Sequence, residues 1–416
     1  MKLLKNFFIV DFAKIVSSNI IVQLISILTI PILTRIYSPE QFGFFALLIS
    51  ISSLLIIFSC FGYEKVLVIC QNKLERQKMV NFCLRILLIN VVLISLVLLF
   101  LLFLKKNLIF NYELNHIFFL IPVLVFAEKI KTIFFNMANS QGRINAISIA
   151  NINHVFVNNL LSIFLSFLNL FGLIISKIFS LVTSFIILAY LENKEKKILK
   201  SFNFEDYKFL IKKFKEYPIL SMPSNAMILY TRQIPILFLS ILQSAASAGI
   251  YSLADRVIAK PLSIIGEAIA VPFKRKAAID YNSKGSCRPI LVQTFLFLFG
   301  LSIIPFTILY FFAPTLFEFI FGSQWKLAGV YVQILIPMFF MQFISSPLSY
   351  ILYIANKLEF DLIIQIIMSI TLSTCFVYGL LIKKDLILAL KLYSMTNAFI
   401  YGLCLFIYYK FSKAER

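Results

Sequence analysis

Residues 249–273 read GIYSLADRVIAKPLSIIGEAIAVPF. The stretch is largely apolar and long enough to cross a bilayer, yet it contains the cations Arg256 and Lys260. A charge at the bilayer centre costs roughly 2.5–3.5 kcal/mol on insertion scales, so it persists only beside a partner or a water-filled cavity. On a helix the polar residues share one face, with Lys260 at its edge: Ser252, Arg256, Ser263 and Glu267. Because no acid lies one turn from either cation on this helix, the stretch predicts an anion-binding lumen.

The rest of the chain has the composition of a polytopic membrane protein. Of its 416 residues, 60% are hydrophobic and only 14% are charged, and the mean hydropathy is +0.92. Apolar runs of about 20 residues each, long enough to span a bilayer, follow one another along the chain. They lie at 11–34, 41–62, 80–104, 115–137, 144–168, 170–191, 217–241, 249–273, 289–313, 328–353, 360–382 and 386–409. We therefore expect an all-α fold with about 12 transmembrane helices.

The formal net charge of +20 is explained by topology rather than by a nucleic-acid partner. With the amino terminus in the cytoplasm, six of the 39 Lys and Arg fall in external loops: Arg35, Lys105, Lys106, Lys326, Lys383 and Lys384. Most of the others fall in cytoplasmic segments, which is the bias described by the positive-inside rule. The sequence therefore predicts an N-in, C-in orientation and no nucleic-acid partner.

The two halves of the chain repeat each other weakly. The dipeptide Ser-Asn stands 25 residues before a glycine twice, at 18–19 before Gly43 and at 224–225 before Gly249. A constant shift of 206 residues superposes the two copies. With an even number of spans in each half, both copies share one orientation around a central cavity, a plan used by secondary transporters. The expected domains are a six-helix half at 1–191, a basic cytoplasmic linker at 192–216 and a second six-helix half at 217–416.

Polar side chains elsewhere in the spans extend the predicted site. The first span carries Asn19 and Gln23 on one face, and its repeat partner carries Asn225 and Arg232. Cations exceed acids within the spans, which favours an anionic cargo. We assign substrate binding to Arg232, Arg256, Lys260, Lys129, Lys131, Asn19, Gln23 and Asn225. Since a carboxylic acid in a low-dielectric site can carry a proton, we assign ion coupling to Glu128, Asp255, Glu267 and Asp11.

Some of these assignments have structural alternatives. Stripes of Asn and Ser also join membrane helices, through hydrogen bonds worth about 0.6 kcal/mol each. In the fourth span Glu128 and Lys131 are one turn apart and are candidates for an ion pair, which leaves Lys129 without a partner. Asp11 opens the first span, where an acid is also explained by the membrane interface.

Three short segments carry a resemblance to a known family. The segment LTRIYSPEQFG at 33–43 resembles the "RxLxPxxFG" turn between the first two spans of bacterial polysaccharide-unit (O-antigen) flippases, the Wzx-like branch of the MOP flippase superfamily. Phe61-Gly62 resembles the "FG" that follows in that family, although Cys60 stands where an aspartate is frequent. The segment SAASAGIYSLAD at 244–255 resembles the family's opening of the eighth span. In length, span number and duplication the resemblance covers essentially the whole chain.

The resemblance implies a fold and a function. The fold would be that of MATE and MOP transporters, with two six-helix halves around a central cavity. The cargo would be an undecaprenyl-diphosphate-linked oligosaccharide, moved from the cytoplasmic to the periplasmic leaflet of the bacterial inner membrane by ion-coupled alternating access. Arg engages a diphosphate bidentately and Lys as a point charge, so a cationic lumen suits this cargo. Membrane lipids and the polysaccharide polymerase machinery are the expected partners.

Three other functional classes compete with this interpretation. A multidrug exporter of the same superfamily moves cations, and the basic excess in the spans argues against it. A polysaccharide polymerase, ligase or lipid-linked glycosyltransferase is opposed by short external loops and by the lack of an H-E-x-x-H or P-loop motif. The six cysteines show no CxxC spacing, so we predict neither a metal nor another cofactor. The third class, a non-transporting structural component of the membrane, would not need cations inside its spans.

Overall fold

The structure is a computed structural model that describes residues 2–70, 72–103, 116–190 and 204–413. Side chains are described from residue 17 onward, except at a few later positions within the helices. Over these residues the regular structure is helical, and the β-structure consists of one isolated bridge between Ser286 and Lys413. The all-α prediction is therefore confirmed.

The first part of the chain, as far as the structure describes it, forms seven helices. They are α1 (Lys2–Ile36), α2 (Pro39–Ser59), α3 (Lys73–Phe103), α4 (Leu120–Ser140), α5 (Ile144–Phe164), α6 (Leu170–Tyr190) and the short α7 (Phe204–Lys213). A 3₁₀ segment, Tyr63–Val68, connects α2 to α3. Of the predicted linker at 192–216, residues 192–203 lie outside the described part of the chain, and α7 occupies most of the remainder.

Seven further helices follow in the described residues, the first of them opened by a π-helical turn at Tyr217–Ser221. They are α8 (Met222–Leu242), α9 (Ala245–Lys284), α10 (Arg288–Phe321), α11 (Lys326–Leu348), the single turn α12 (Ile351–Ile354), α13 (Leu358–Val377) and α14 (Leu386–Phe411). Each of the predicted spans corresponds to one of the long helices. The sequence prediction of about 12 membrane helices is thus supported.

Two of the long helices differ from the others in hydropathy. Ten helical segments in the described residues are long and apolar enough to cross a membrane, and α4 and α9 are not among them. Both are long enough, at 21 and 40 residues, but each carries more charge than such a segment normally tolerates. The exposed faces of the spanning helices are apolar, as at Phe319, which is 82% exposed, and Leu28, which is 71% exposed. Exposed apolar surface on this scale indicates contact with lipid.

The helices group into two compact units. The N-terminal unit comprises Met1–Tyr37 and Phe44–Leu229, and the C-terminal unit comprises Ser38–Gly43 and Tyr230–Arg416. In the N-terminal unit α5 packs against α1 and α6, and α4 packs against α3 and α6. In the C-terminal unit α11 packs against α9, α10 and α14. The six residues Ser38–Gly43 at the start of α2 therefore make their closest contacts within the C-terminal unit.

Candidate substrate-binding site

A cluster of charged side chains lies within the C-terminal unit. Arg232 on α8 and Asp255, Arg256 and Lys260 on α9 are close enough that Asp255 interacts electrostatically with all three cations. Arg232 also lies within electrostatic range of Tyr401 on α14. Side chains from three helices thus interact here, and they include three cations and one carboxylate. The cluster carries a net positive charge.

The local sequence explains where α9 places these charges. Ser244 caps the helix, since its hydroxyl oxygen accepts a hydrogen bond from the Ser247 N–H at 3.1 Å. The first turns are small and buried, with Ala245, Ala248 and Gly249 at the packing surface. Asp255 follows ten residues after the helix start, roughly 15 Å along the axis. The charges are therefore deep within the helix and not at its end.

Two tyrosines fasten this part of α9 to α14. Tyr251 and Tyr393 are 3% and 5% exposed, and their hydroxyl groups hydrogen-bond to each other. Both lie within electrostatic range of Asp255. A buried, hydrogen-bonded pair of hydroxyl groups links α9 to α14 close to the charged cluster.

The two arginines of the cluster lack a close counter-ion. Among the residues that the structure describes, no carboxylate oxygen lies within 4.0 Å of the guanidinium of Arg232 or Arg256. Arg256 is half-buried and Arg232 is exposed. Guanidinium groups taken out of water need anionic partners, so Arg232 and Arg256 are candidates for contact with an anionic ligand.

Lys129 behaves differently, and the expectation that it lacks a partner is wrong. Its ammonium group donates to Glu64 Oε1 at 2.8 Å, and Lys129 is only 2% exposed. Asn136 adds a second link, since its side-chain amide donates to the backbone carbonyl of Glu64 at 3.0 Å. These contacts tie the 3₁₀ segment Tyr63–Val68 to α4. A role for Lys129 in substrate binding stays a prediction, but its partner in the structure is a protein carboxylate.

Lys131, two residues further along α4, meets a different set of neighbours. It lies within electrostatic range of Glu128 and of Lys177 on α6, and Lys177 contacts His154 on α5 at 3.4 Å between Nζ and Nε2. The candidate ion pair between Glu128 and Lys131 is not formed, because the two groups are not within 4.0 Å in the described structure. Lys131 thus belongs to a second basic group, within the N-terminal unit.

The remaining predicted residues are not brought into either group. On α1, Asn19 is exposed and Gln23 is half-buried. Asn225 donates its side-chain amide to the backbone carbonyl of Ser221, one turn earlier, and so bridges the π-helical turn to α8. Glu267 is exposed on α9. The side chain of Asp11 lies outside the part of the chain for which side chains are described.

Sequence reasoning missed Glu64, His154, Lys177 and Tyr401 as neighbours of the predicted residues. Glu64 lies 65 residues from Lys129 in sequence, and no local pattern connects them. His154 and Lys177 are 23 residues apart on consecutive helices. The sequence did contain a signal for His154 and Lys177. An imidazole and an ammonium group are each costly to bury alone inside an apolar span, so each was expected to have a partner.

The fold is that of transporters of the MOP superfamily. The lipid II flippase MurJ in an inward closed conformation aligns with a TM-score of 0.71 at 14% identity, over 96% of this chain and 87% of that one. An inward-facing multidrug resistance MATE family transporter aligns with a TM-score of 0.67 at 12% identity, over 94% and 93%. A mutant of the Vibrio cholerae MATE transporter VcmN gives 0.61 at 14%, over 98% and 96%. These identities show a shared fold.

The chain belongs to the polysaccharide biosynthesis protein family. The sequence model of that family matches residues 7–273, which is more than half of the chain. Comparison with curated protein sequences gives no significant match. The resemblance drawn from 33–43 and 244–255 is thereby confirmed at the level of the family.

Proposed function

We propose that the protein is a flippase that moves an undecaprenyl-diphosphate-linked oligosaccharide from the cytoplasmic to the periplasmic leaflet of the inner membrane. The amino and carboxyl termini would both lie in the cytoplasm. Membership of the polysaccharide biosynthesis family and the likeness to MurJ support a lipid-linked saccharide as the cargo. Membrane lipids and the polysaccharide polymerase machinery would be its partners.

The observation that carries the proposal is the pair Arg232 and Arg256. Arg232 lies in a helical segment long and apolar enough to cross a membrane, Arg256 lies ten residues or more inside the long helix α9, and in the described structure neither guanidinium has a carboxylate within 4.0 Å. A diphosphate offers several oxyanion acceptors in a small volume, and guanidinium binds such groups through two parallel hydrogen bonds. The lipid tail would remain in the bilayer while the diphosphate and glycan pass by these side chains.

Asp255 gives this site a means of coupling to an ion. Its carboxylate shares the cations of the cluster in the absence of a substrate. A diphosphate that binds Arg232 and Arg256 would compete with Asp255 for them. The carboxylate would then be free to take up a proton or sodium ion. Glu128, Glu267 and Asp11 are the other acids proposed for ion coupling.

A cation exporter is the alternative, since several of the similar structures are MATE transporters. A cationic drug would meet repulsion from Arg232, Arg256 and Lys260, which together outnumber the carboxylate of Asp255 that interacts with them. We therefore favour the anionic cargo.

The test is the sidedness of the lipid-linked oligosaccharide in spheroplasts of a strain that lacks this protein. An impermeant sugar-oxidising probe labels only the saccharide exposed on the outer leaflet. We expect the unlabelled, cytoplasmic pool to accumulate and the wild-type gene to restore labelling. Accumulation of lipid-linked oligosaccharide that is fully labelled would contradict the proposal. The oligosaccharide would then have crossed the membrane without this protein, which would instead act in a later polymerisation or ligation step.

A further inference from the structure

The short helix α7 is fixed to the first turns of α3 by one of its faces. The Tyr207 hydroxyl donates a hydrogen bond to Asn81 Oδ1 at 2.8 Å, and the Arg85 guanidinium lies 5.2 Å from the centre of the Tyr207 ring. Tyr207 and Leu210 are 7% and 1% exposed and belong to the hydrophobic core of the N-terminal unit. A helix of ten residues is only marginally stable by itself in water, so this packing holds α7 in its place.

Two ion pairs at this contact neutralise charges that lie between α7 and α3. Lys78 donates to Asp206 Oδ1 at 2.5 Å, and Lys213 pairs with Glu75. Each helix contributes one acid and one lysine to these pairs. The pairs therefore cancel within the contact, and the net charge of α7 is set by the side chains on its outer face.

The outer face of α7 is exposed and carries two lysines. Lys208 and Lys212 are exposed and lie one turn apart on this face. Among the residues that the structure describes, no carboxylate oxygen lies within 4.0 Å of either ammonium group. Glu205 is also exposed, in the first turn, where the helix dipole favours a carboxylate. Residues 192–216 contain eight lysines and five acids, so the linker sequence as a whole is basic.

Two apolar side chains flank these lysines. By helical spacing Phe209 and Ile211 fall on either side of the line through Lys208 and Lys212, and they are 63% and 45% exposed. Exposed apolar groups beside lysines are typical of helices that lie in a membrane interface. There the apolar groups enter the acyl boundary while the lysine stems extend along it and the ammonium groups reach the phosphates.

The position of α7 along α3 agrees with the level of the lipid headgroups. The helix α3 is long and apolar enough to cross a membrane, and exposed apolar side chains recur along it from Leu88 to Phe100. Arg85 and Asn81, which contact α7, precede Leu88 by roughly 5–10 Å along the helix axis. The headgroup layer occupies roughly 5–8 Å on each side of the hydrocarbon core. The helix α7 therefore lies beside the headgroups of one leaflet, which is the cytoplasmic leaflet in the proposed orientation.

We infer that the outer face of α7, formed by Lys208 and Lys212 with Phe209 and Ile211 beside them, is a docking surface for anionic phospholipid headgroups. The ligand class is a phosphodiester with a net negative charge at the membrane surface, such as phosphatidylglycerol. Its oxygens accept charge-assisted hydrogen bonds from ammonium groups, whereas a zwitterionic headgroup brings its own cation to the same place. Because this surface does not involve the cargo, it can be tested without a flipping assay.

The test introduces a fluorescent reporter beside the lysines through the exchange Phe209→Trp. The full-length Phe209→Trp protein is placed in phosphatidylcholine vesicles that contain a fixed fraction of phosphatidylglycerol. Bromine atoms on the acyl chains of one lipid or the other quench the fluorescence of a nearby tryptophan. The native tryptophan, Trp325, is 0% exposed and lies in the C-terminal unit, so its signal is subtracted with protein that keeps Phe209.

We expect brominated phosphatidylglycerol to quench the introduced tryptophan on the order of fivefold more per mole than brominated phosphatidylcholine. One lysine near an anionic surface contributes a factor of about this size. The preference should fall when the salt concentration is raised from about 0.1 M to about 1 M, because the Debye length shrinks from about 10 Å to about 3 Å.

Variants in the Phe209→Trp background assign the preference to the two lysines. Lys208→Gln with Lys212→Gln should make the two brominated lipids quench equally per mole, and Lys208→Arg with Lys212→Arg should retain the preference because it keeps the charges. Lys410→Gln with Lys413→Gln is the matched control. These two lysines are exposed at and just beyond the end of α14, so the exchange removes the same charge without touching α7 and should leave the preference unchanged.

Equal quenching by the two brominated lipids in the Phe209→Trp protein would overturn the inference. Absence of quenching by either lipid would also overturn it, because α7 would then lie away from the acyl chains. Its lysines would in that case be placed for a water-soluble partner such as an acidic protein segment. A preference that survives Lys208→Gln with Lys212→Gln would remove the assignment to these two residues.

Discussion

Gly43 of α2 and Gly249 of α9 face each other at a helix crossing. Because neither has a side chain, the backbones of the two helices approach closely at this point. A Cβ on Gly43 would overlap the carbonyl oxygen of Ala245 and lie 2.9 Å from the Gly249 nitrogen. A Cβ on Gly249 would overlap the carbonyl oxygen of Pro39 and lie 2.8 Å from the Gly43 nitrogen. Both residue pairs differ by the 206 positions of the sequence repeat. The crossing is thus locally symmetric, and it explains why the repeat retains a glycine at these two positions.

This crossing predicts that Gly43→Ala and Gly249→Ala each destabilise the protein. The added methyl group meets backbone atoms, which cannot move aside as a flexible side chain can, so the cost should be about 1–3 kcal/mol or more. The measurement is thermal unfolding of the detergent-purified protein. Gly300→Ala on α10 is the control, because no atom lies within 4 Å of the place its methyl group would occupy and the change should be neutral or slightly stabilising. An unfolding midpoint unchanged in both the Gly43→Ala and Gly249→Ala variants would contradict the prediction. It would mean that α2 and α9 can move apart at the crossing at little cost in free energy.

Arg256→Ala should lower the flipping rate by about tenfold or more, because one charge-assisted contact to the diphosphate is lost. Arg232→Ala should act in the same direction, and Arg256→Lys should retain part of the rate since it keeps the charge but not the bidentate geometry. The flipping assay in spheroplasts reports all three variants. Arg275→Ala, an exposed arginine further along α9, should behave as wild type. Normal flipping by an Arg232→Ala, Arg256→Ala double variant would contradict the assignment of the diphosphate to this cluster.

Removing one partner of the buried Lys129–Glu64 pair should be strongly destabilising. Lys129→Met leaves the Glu64 carboxylate buried without its counter-ion, at a cost of about 3–5 kcal/mol. Adding Glu64→Gln to it should restore much of the loss, because the orphaned charge is then also removed. Unfolding midpoints of the single and double variants measure both effects. The exposed pair Lys213–Glu75 is the comparison, where Lys213→Ala should cost less than about 1 kcal/mol.

The C-terminal end of α9 should contribute a pH-dependent part of the free energy of unfolding. Hydrogen bonds from Lys284 and Lys276 hold the pKa of Asp280 below the ordinary value of about 3.9. A carboxylate whose pKa is lowered by folding stabilises the protein above its unfolded pKa and loses that effect as the pH falls through the folded one. Asp280→Asn should therefore lower the unfolding midpoint at pH 7, and the difference from wild type should shrink below about pH 4. A difference that stays constant between pH 7 and pH 3 would rule out this origin.

Much of the fold could be predicted from the sequence, because a membrane helix satisfies its own backbone hydrogen bonds. Such a helix can therefore be identified by the length and hydropathy of its sequence alone. The charged α9 was recognised as a span despite Arg256 and Lys260, since the apolar runs on either side of them were long enough.

The partners of the charges did not follow from sequence. Lys129 and Lys131 are nearly adjacent in α4, but one meets Glu64 from the connection after α2 and the other meets Lys177 from α6. Helical periodicity gives the direction of a side chain on its own helix and says nothing of which helix lies opposite. The same limit applies to Arg232 and Tyr401, which come together across 169 residues of chain only through packing of α8 and α14.

The charge carried by α4 and α9 has a consequence for how the chain enters the membrane during synthesis. A segment that fails the hydropathy threshold is inserted poorly on its own by the translocon. For α4 the partner that neutralises Lys129 is already present when the helix is made. Glu64 is synthesised earlier, and its carboxylate can accept a hydrogen bond from the Lys129 ammonium group within the bilayer. For α9 the sole acid of the described cluster, Asp255, travels in the same helix as Arg256. Insertion of α4 therefore depends on a segment made before it, whereas in α9 one acid, Asp255, enters the membrane next to the cations of the same helix and offsets only part of their charge.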